Sequence, residues 1–401
     1  MTYPVETPFT PTGEVIVHVF GRTDVGRTRE HNEDAFLVVD LSSDNASLQP
    51  EVRTHRAGPR GSLFMVADGL GGAAAGEIAS ELAVNTVYEE LRQNWVHGDS
   101  VAPEAFAAAL KRAGESANSA IFSFALEHPE YRGLGTTATI AGLLGDTLYV
   151  AQVGDSRGYV VRDGVARQIT KDQSLMQRLI EAGELTPDEA ERSERRNIIL
   201  QALGPEPAVK IDLTFQKLRR GDTLVLCTDG LSGLVKKDEI AEVVSRQPDL
   251  TEVCRELIER ANENGGPDNI TVIAVRFEGS GLTEAGPDDV VGHAPFRLGN
   301  GETPTDPMAR FEAVRRRVSG GIARAAAVAT GNGGPAGDPA APAAQPDAAP
   351  TPRPFPRGRL LIAILILLLA GAALAVHWYR SRGATGAASS GAIPGQMTST
   401  P

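Results

Sequence analysis

Five short stretches of this 401-residue chain place acidic side chains where apolar runs begin or end. Arg29-Glu30-His31-Asn32-Glu33-Asp34 leads into Ala35–Val39, and Val66-Ala67-Asp68-Gly69-Leu70-Gly71-Gly72 closes the run that starts at Ser62. Gly154-Asp155-Ser156-Arg157 follows Leu148–Val153, and Cys227-Thr228-Asp229-Gly230 follows Thr223. Asp268-Asn269-Ile270-Thr271-Val272 opens the last run, to Phe277. A carboxylate at the end of a buried strand is costly to leave uncompensated, because burial disfavours its charged form. One such residue reads as a turn or a helix cap. Asp34, Asp68, Asp155, Asp229 and Asp268 together read as carboxylates converging on cations. An all-oxygen donor set suits hard ions such as Mg²⁺ or Mn²⁺, and the glycine after Asp68 lets a backbone carbonyl approach one. The chemistry supported is metal-assisted hydrolysis, in which two ions about 3.5–4 Å apart bind a phosphoryl oxygen and lower the pKa of a bridging water.

The elements that must position these residues alternate between strand-like and helix-like patterns from Val15 to Glu278. Short β-branched runs at Val15–Phe20, Ala35–Val39, Ser62–Ala67, Thr137–Leu144, Thr147–Val153, Gly158–Arg162, Thr223–Cys227 and Ile270–Phe277 predict strands. Helical period predicts helices over Gly76–Arg92, Pro103–Leu126, Ser174–Ala182, Pro187–Glu194, Asp238–Ser245 and Leu250–Asn264. Tight turns such as Leu144-Gly145-Asp146-Thr147 favour antiparallel pairing, and strands clustered between long helices predict an α+β layered sandwich.

Taken in order, R-x-x-N-E-D, D-G-x-G-G, G-T-T, G-D-S-R, D-G and D-N resemble the metal-dependent protein phosphatases of type 2C, most closely their bacterial branch. The resemblance covers residues 21 to 277. It implies a four-layer α-β-β-α sandwich of two antiparallel sheets flanked by helices, with metals in a cleft at one edge. Asp68 would bridge two Mn²⁺ or Mg²⁺ ions, the Gly69 carbonyl would bind one of them, and Asp229 and Asp268 would complete the other. Asp155, with Asp229, would hold a possible third ion. Glu33 and Asp34 would act through metal-bound waters, and Arg29 would grip the substrate phosphate with its planar fork of donors. A metal-bridging hydroxide would attack phosphorus in line, with Asp34, Asp68, Asp229 and Asp268 carrying catalysis and no phosphoenzyme formed. The stretch Gly135-Thr136-Thr137 is expected on a core strand beside the site, in a packing role.

Two positions depart from the pattern. Leu70 stands where many animal relatives carry a histidine acid, so the leaving-group proton must come from metal-bound water. Lys171-Asp172-Gln173-Ser174 replaces K-D-H-S ahead of a flap expected over Ser174 to Ala202. Arg195-Arg196 in that flap either meets a phosphopeptide or is simply solvated.

Composition bounds the rest. With 39 basic against 51 acidic residues the net charge is −12. No long basic block covers the first 280 residues, so the folded part lacks the footprint that nucleic acid requires. Cys227 and Cys254 form no C-x-x-C pair and are expected as free buried thiols. Met1–Val19 lacks the basic and apolar regions of a signal peptide. Residues 1–14 read as an N-terminal extension, 15–279 as the catalytic domain and 280–359 as a disordered Pro/Gly/Ala-rich linker. The basic patch at Ala309–Ala327 is either a solvated charge run or an adhesive for anionic membrane. Leu360–Val376 is uncharged. Extended through Trp378 and Tyr379 it makes a transmembrane helix over 360–379, about 30 Å long, with 380–401 as a short extracytoplasmic tail.

The expected protein is a single-pass cell-membrane phosphatase with its catalytic domain in the cytoplasm. It would act on phosphoserine and phosphothreonine, opposing a membrane serine/threonine kinase on that kinase and its substrates. The rivals are a regulatory phosphatase with a single phosphoprotein substrate, a catalytically silent phosphoprotein-binding scaffold, and a phosphatase for small metabolites.

Overall fold

The computed structural model describes residues 13–43, 54–193, 195 and 197–299. Its first half runs β1 (Ile16–Asp24), β2 (Asp34–Asp40), β3 (Thr54–Arg56), β4 (Ser62–Leu70), α1 (Ala73–Leu91), α2 (Pro103–Glu127), β5 (Gly135–Thr136), β6 (Ala138–Leu144) and β7 (Thr147–Val153). There follow β8 (Arg157–Arg162), β9 (Val165–Gln168), α3 (Leu175–Glu181), α4 (Pro187–Glu191), β10 (Asp212–Lys217), β11 (Thr223–Cys227), α5 (Asp229–Ser232), α6 (Lys237–Arg246), α7 (Leu250–Glu263) and β12 (Ile270–Glu278). One sheet has the order β3-β1-β12-β11-β8-β9. The other has the order β10-β7-β6-β4-β2, with β5 added to the end of β4. The ladders are antiparallel throughout.

Period-two alternation explains the layers. Along β12, Ile273, Val275 and Phe277 face the other sheet, while Ile270, Val272 and Ala274 face α6 and α7. Along β4, Phe64 and Val66 face the first sheet, while Leu63, Met65 and Ala67 face α1 and α2. Both faces of these strands are therefore buried, which is why they read as unbroken apolar runs. The three apolar clusters are the three interfaces of an α-β-β-α sandwich. Phe64 and Phe277 meet edge-on between the sheets, ring centroids 6.4 Å apart. Truncating a buried phenylalanine of this kind costs about 3–5 kcal/mol.

The sequence reading missed β3, β9, β10 and the one-turn α5. The first three lie at sheet edges, where one face is solvated and the apolar signal is thin. β4 also runs past Ala67 to Leu70, because β5 pairs with Gly69 and Leu70 and keeps the chain extended. Both cysteines are buried and unbridged.

The boundary expected at residue 279 is corrected. Residues 280–299, expected as the start of a linker, pack on the domain. Leu282 is 1% exposed, and Asp289 forms a two-pronged pair with Arg219. Pro295 bridges Thr214, so the segment runs antiparallel along the outer edge of β10. Phe296 sits edge-on to Tyr149, centroids 5.2 Å apart, and Val291 is buried. The apolar residues of this stretch are too few and too widely spaced to show as a periodic element. Residues 300–401, with the rest of the expected linker, the basic patch, the transmembrane helix and the tail, lie outside the described residues, as does the extension before Gly13. No helix among the described residues is long and apolar enough to cross a membrane.

Candidate active site

Asp34 opens β2 and Asp68 lies near the end of β4, and the two stand directly opposite each other in the β2–β4 ladder. Like charges so placed repel, so the arrangement needs strong local support. β5 supplies part of it. The Thr137 N–H and the Thr136 hydroxyl each donate to the Asp68 carbonyl at 2.9 Å, and the Thr137 hydroxyl accepts from the Asp68 N–H at 3.0 Å. The Gly-Thr-Thr stretch therefore fixes the Asp68 peptide by hydrogen bonds, a more specific role than the packing expected of it. Gly69 donates its N–H to the Glu33 carbonyl at 3.1 Å. A Cβ there would run into the Gly76 carbonyl, so no larger residue fits.

The facing sheet contributes through the ends of β11 and β12. The Thr228 N–H donates to the Thr271 carbonyl, carrying the ladder one step beyond Cys227, so that Asp229 emerges at its tip as the first residue of α5. The hydroxyls of Thr228 and Thr271 both donate to Asp34 Oδ2, at 2.9 and 2.7 Å, and tie the two sheets together behind the carboxylates. Asn269 binds the loop that leads into β2: its Oδ1 accepts from the Glu33 N–H, and its Nδ2 donates to the Val25 and His31 carbonyls. A Cβ on Gly230 would strike the Asn269 carbonyl, which accounts for the glycine after Asp229.

The third support is the turn between β7 and β8. The Ser156 hydroxyl pairs with Thr137 Oγ1 at 2.7 Å, and Gln152 Nε2 donates to the Ser156 carbonyl. Gln173, where the family pattern has histidine, accepts from the Gly154 N–H at 2.9 Å. Arg157 makes a two-pronged pair with Asp172 and anchors the foot of the flap. Asp155, held within this turn, is buried and its Oδ1 has no partner.

These parts surround a cleft of ≈ 160 Å³ lined by Arg29, Glu33, Asp68, Gly69, Leu70, Asn197, Ile199, Asp229, Asp268 and Asn269. Asp34 and Asp155 are not among the lining residues but lie within electrostatic reach of them. Burial, followed by repulsion from Asp34, Asp229, Asp155 and Asp268, lifts the Asp68 carboxyl well above its usual range. Burial and Asp229 push Asp155 up to about 7. Burial likewise raises Asp34 to about 7, against the pull of its two threonine hydrogen bonds. Asp229 is raised by burial and by Asp268. Burial raises Glu33 against the pull of Arg29. The cluster is open: among the described residues no three acidic, imidazole or thiol groups close around one point. What it offers a cation is a set of hard oxygen donors with no positive group at its centre.

Arg29 stands at the rim. Its Nη2 donates to Asp268 Oδ2 at 3.0 Å, and its Nη1 lies 3.9 Å from Glu33. The flap supplies the opposite wall through Asn197 and Ile199, neither of which stands out in the sequence. Arg195 is exposed, and Arg196 lies outside the described residues. Sequence reasoning also misses Thr228, Thr271 and Asn269 as positioning groups. Their signal is present: each is a polar residue next to a motif carboxylate or at an otherwise apolar strand end.

Comparison with known proteins gives a consistent result. The family profile of protein phosphatase 2C matches residues 42–271. The serine/threonine phosphatase stp of Listeria monocytogenes is 36% identical over 272 residues, covering 68% of this chain and 99% of the relative. The serine/threonine protein phosphatase PstP of Mycobacterium tuberculosis is 37% identical over 260 residues, which is 65% of this chain and 45% of that longer relative. The crystal structure of the M. tuberculosis phosphatase superposes with a TM-score of 0.55 at 35% identity, covering 66% of this chain and 99% of the other. A further structure of the PstP catalytic domain, at 34% identity and a TM-score of 0.54, is a complex with two manganese ions. Two antiparallel sheets that bring acidic strand ends to one cleft, with these relatives, place the chain in the protein phosphatase 2C family: it is a bacterial-type protein serine/threonine phosphatase.

Proposed function

We propose that the cleft binds two Mn²⁺ or Mg²⁺ ions, with room for a third beside Asp155, and hydrolyses phosphoserine and phosphothreonine on proteins. The observation that carries this reading is the convergence of Asp68, Gly69, Asp229 and Asp268 on one cleft, with Asp155 presenting a buried, unpartnered oxygen nearby. The donors are all oxygen, and Arg29 at the rim offsets only part of their negative charge, which fits hard divalent cations. The relative solved with two manganese ions supports the same stoichiometry. Bound there, such ions supply Lewis acidity toward a phosphoryl oxygen and lower the pKa of water.

The chain's own residues supply the rest. Asp68 and Asp229 present their carboxylates from the two facing sheets, so the cleft geometry is set by the sandwich itself. Asp34 is turned by Thr228 and Thr271 and orients water at the floor. Arg29 rests on Asp268 and holds two parallel donors at the rim, the fork that suits a phosphate's oxygens. Among the described residues no Ser, Thr, Cys or His lines the cleft, which favours water as the nucleophile. At ≈ 160 Å³ the cleft has room for a phosphoryl group and small ions.

The uncharged run Leu360–Val376 supports anchorage of the catalytic domain on the cytoplasmic face of the cell membrane. Tethering would raise its effective concentration toward a membrane serine/threonine kinase and that kinase's substrates, within a reach on the order of 50 Å.

The enzymatic reading is tested by phosphate release from a phosphothreonine peptide by the full chain, with Mn²⁺ and then with EDTA. Release that requires Mn²⁺ and stops with chelator is expected. Release that is indifferent to both would overturn the metal assignment. Recovery of the full chain in the soluble fraction after lysis without detergent would overturn the anchor.

A further inference from the structure

The flap wall carries an unpaired backbone edge beside the cleft. Ser174 and Ile199 form an antiparallel bridge in which the Leu175 N–H donates to the Ile198 carbonyl and the Leu200 N–H donates to the Gln173 carbonyl, at 2.9 and 2.8 Å. In this pairing the Ile198 C=O and the Leu200 N–H turn toward residues 173–175, the Ile198 N–H closes a turn onto the Arg195 carbonyl, and Ile199 turns its N–H and C=O away from Ser174. Among the described residues, no partner engages either group of Ile199. Free edges of this kind template another extended chain.

The side chains of the same segment alternate. Asn197 and Ile199 line the cleft, whereas Ile198 and Leu200 are 44% and 52% exposed. Large aliphatic side chains exposed to that degree are few among the described residues, and two of them stand here, one on each side of a cleft-lining residue.

Resting on the phosphatase reading above, we propose that a phosphorylated substrate segment docks by adding a short strand to the Ile199 edge, with apolar residues flanking its phosphoresidue seated on Ile198 and Leu200. An extended peptide sends alternate side chains to opposite faces. With the phosphoresidue on the face of Asn197 and Ile199, its phosphate points to Arg29 and the carboxylates, and its two neighbours fall on the face of Ile198 and Leu200. Main-chain hydrogen bonds give affinity in such complexes, and alternate side chains give selectivity. The occupant is a substrate segment because the edge is continuous with the cleft into which the phosphate must pass.

The test uses the full chain with Mn²⁺ and three kinds of substrate. These are p-nitrophenyl phosphate, phosphothreonine peptides with leucine or glycine on both sides of the phosphoresidue, and the leucine peptide N-methylated at one flanking amide or the other. The leucine peptide is expected to exceed the glycine peptide about tenfold in kcat/KM. One of the two N-methyl groups is expected to lower kcat/KM about three- to tenfold, the loss of one main-chain hydrogen bond. In the double variant I198S/L200S the ratio of leucine to glycine peptide is expected to fall to about one. Equal rates for all peptides, with p-nitrophenyl phosphate hydrolysed normally, would overturn strand addition and leave the phosphatase reading standing. A leucine preference that survives in the double variant would overturn the seating on Ile198 and Leu200. Hydrolysis of neither peptide nor p-nitrophenyl phosphate would overturn the phosphatase reading and the docking together.

Discussion

The floor of the cleft and its flap wall are built on opposite principles. On the floor, dedicated neighbours fix each acidic segment. Thr136 and Thr137 hold the Asp68 peptide, Thr228 and Thr271 hold Asp34, and Asn269 holds the approach to Glu33. Buried polar groups are expensive unless satisfied, so this floor is rigid and costs stability in mutual repulsion. The flap wall is two short helices and a loop with exposed Ile198 and Leu200, joined to the floor through Gln173, the Arg157–Asp172 pair and the backbone pairing of Leu203 with Thr136. The contrast separates chemistry from selection. Under the docking proposal, the floor acts alike on any phosphoester and the wall distinguishes substrates.

The floor is the place to look for the largest effects. Asp229→Ala is expected to cut turnover by about a hundredfold or more while the domain stays folded, the scale of losing one preorganised electrostatic group. Steady-state rates alongside circular dichroism check this, and a wild-type-like rate would sink the assignment.

The repulsion itself gives the next effect. Mn²⁺ at one hundred times its Kd is expected to stabilise the folded chain by about 2.7 kcal/mol, visible as a rise in Tm of several degrees. Asp68→Asn removes one buried charge, so its metal-free form is expected to melt at or above the wild-type temperature and to gain little from Mn²⁺. Thermal denaturation with and without EDTA measures both. A metal-free Asp68→Asn that melts far below wild type would mean that Asp68 is held by compensating contacts rather than repelled.

Smaller is the effect of the threonine supports. Thr271→Val leaves Asp34 with one hydroxyl donor and is expected to cost about 1–3 kcal/mol in urea denaturation, with a parallel fall in kcat. At the bottom of the scale, Arg195→Ala on the exposed flap is expected to change stability by no more than about 0.5 kcal/mol. A large stability loss there would mean that the flap is as tightly built as the floor, and the contrast would fail.

The same contrast explains what is legible before folding. Asp34, Asp68, Asp155, Asp229 and Asp268 stand out because a charge beside a buried apolar run is a visible violation of the pattern that makes the strand. The strands behind them, buried on both faces, are equally plain; Thr147–Val153 and Thr223–Cys227 match their predicted bounds. The edge strand Asp212–Lys217 and residues 280–299, which cover it, are not, because their stability comes from scattered contacts such as Phe296 on Tyr149 and Asp289 on Arg219. Asn197 and Ile199 are hidden for another reason. Nothing local requires a particular residue on an exposed wall, and only the bridge to Ser174 brings them to the cleft.

The most direct test of the central claim is anomalous diffraction at the manganese edge from crystals of the full chain grown with Mn²⁺. Two peaks within coordination distance of Asp68, at least one also touching Asp229 or Asp268, are the predicted result. A map with no peak in the cleft, or with peaks only at surface carboxylates away from Asp68, would contradict the account of the floor as a metal-binding catalytic site.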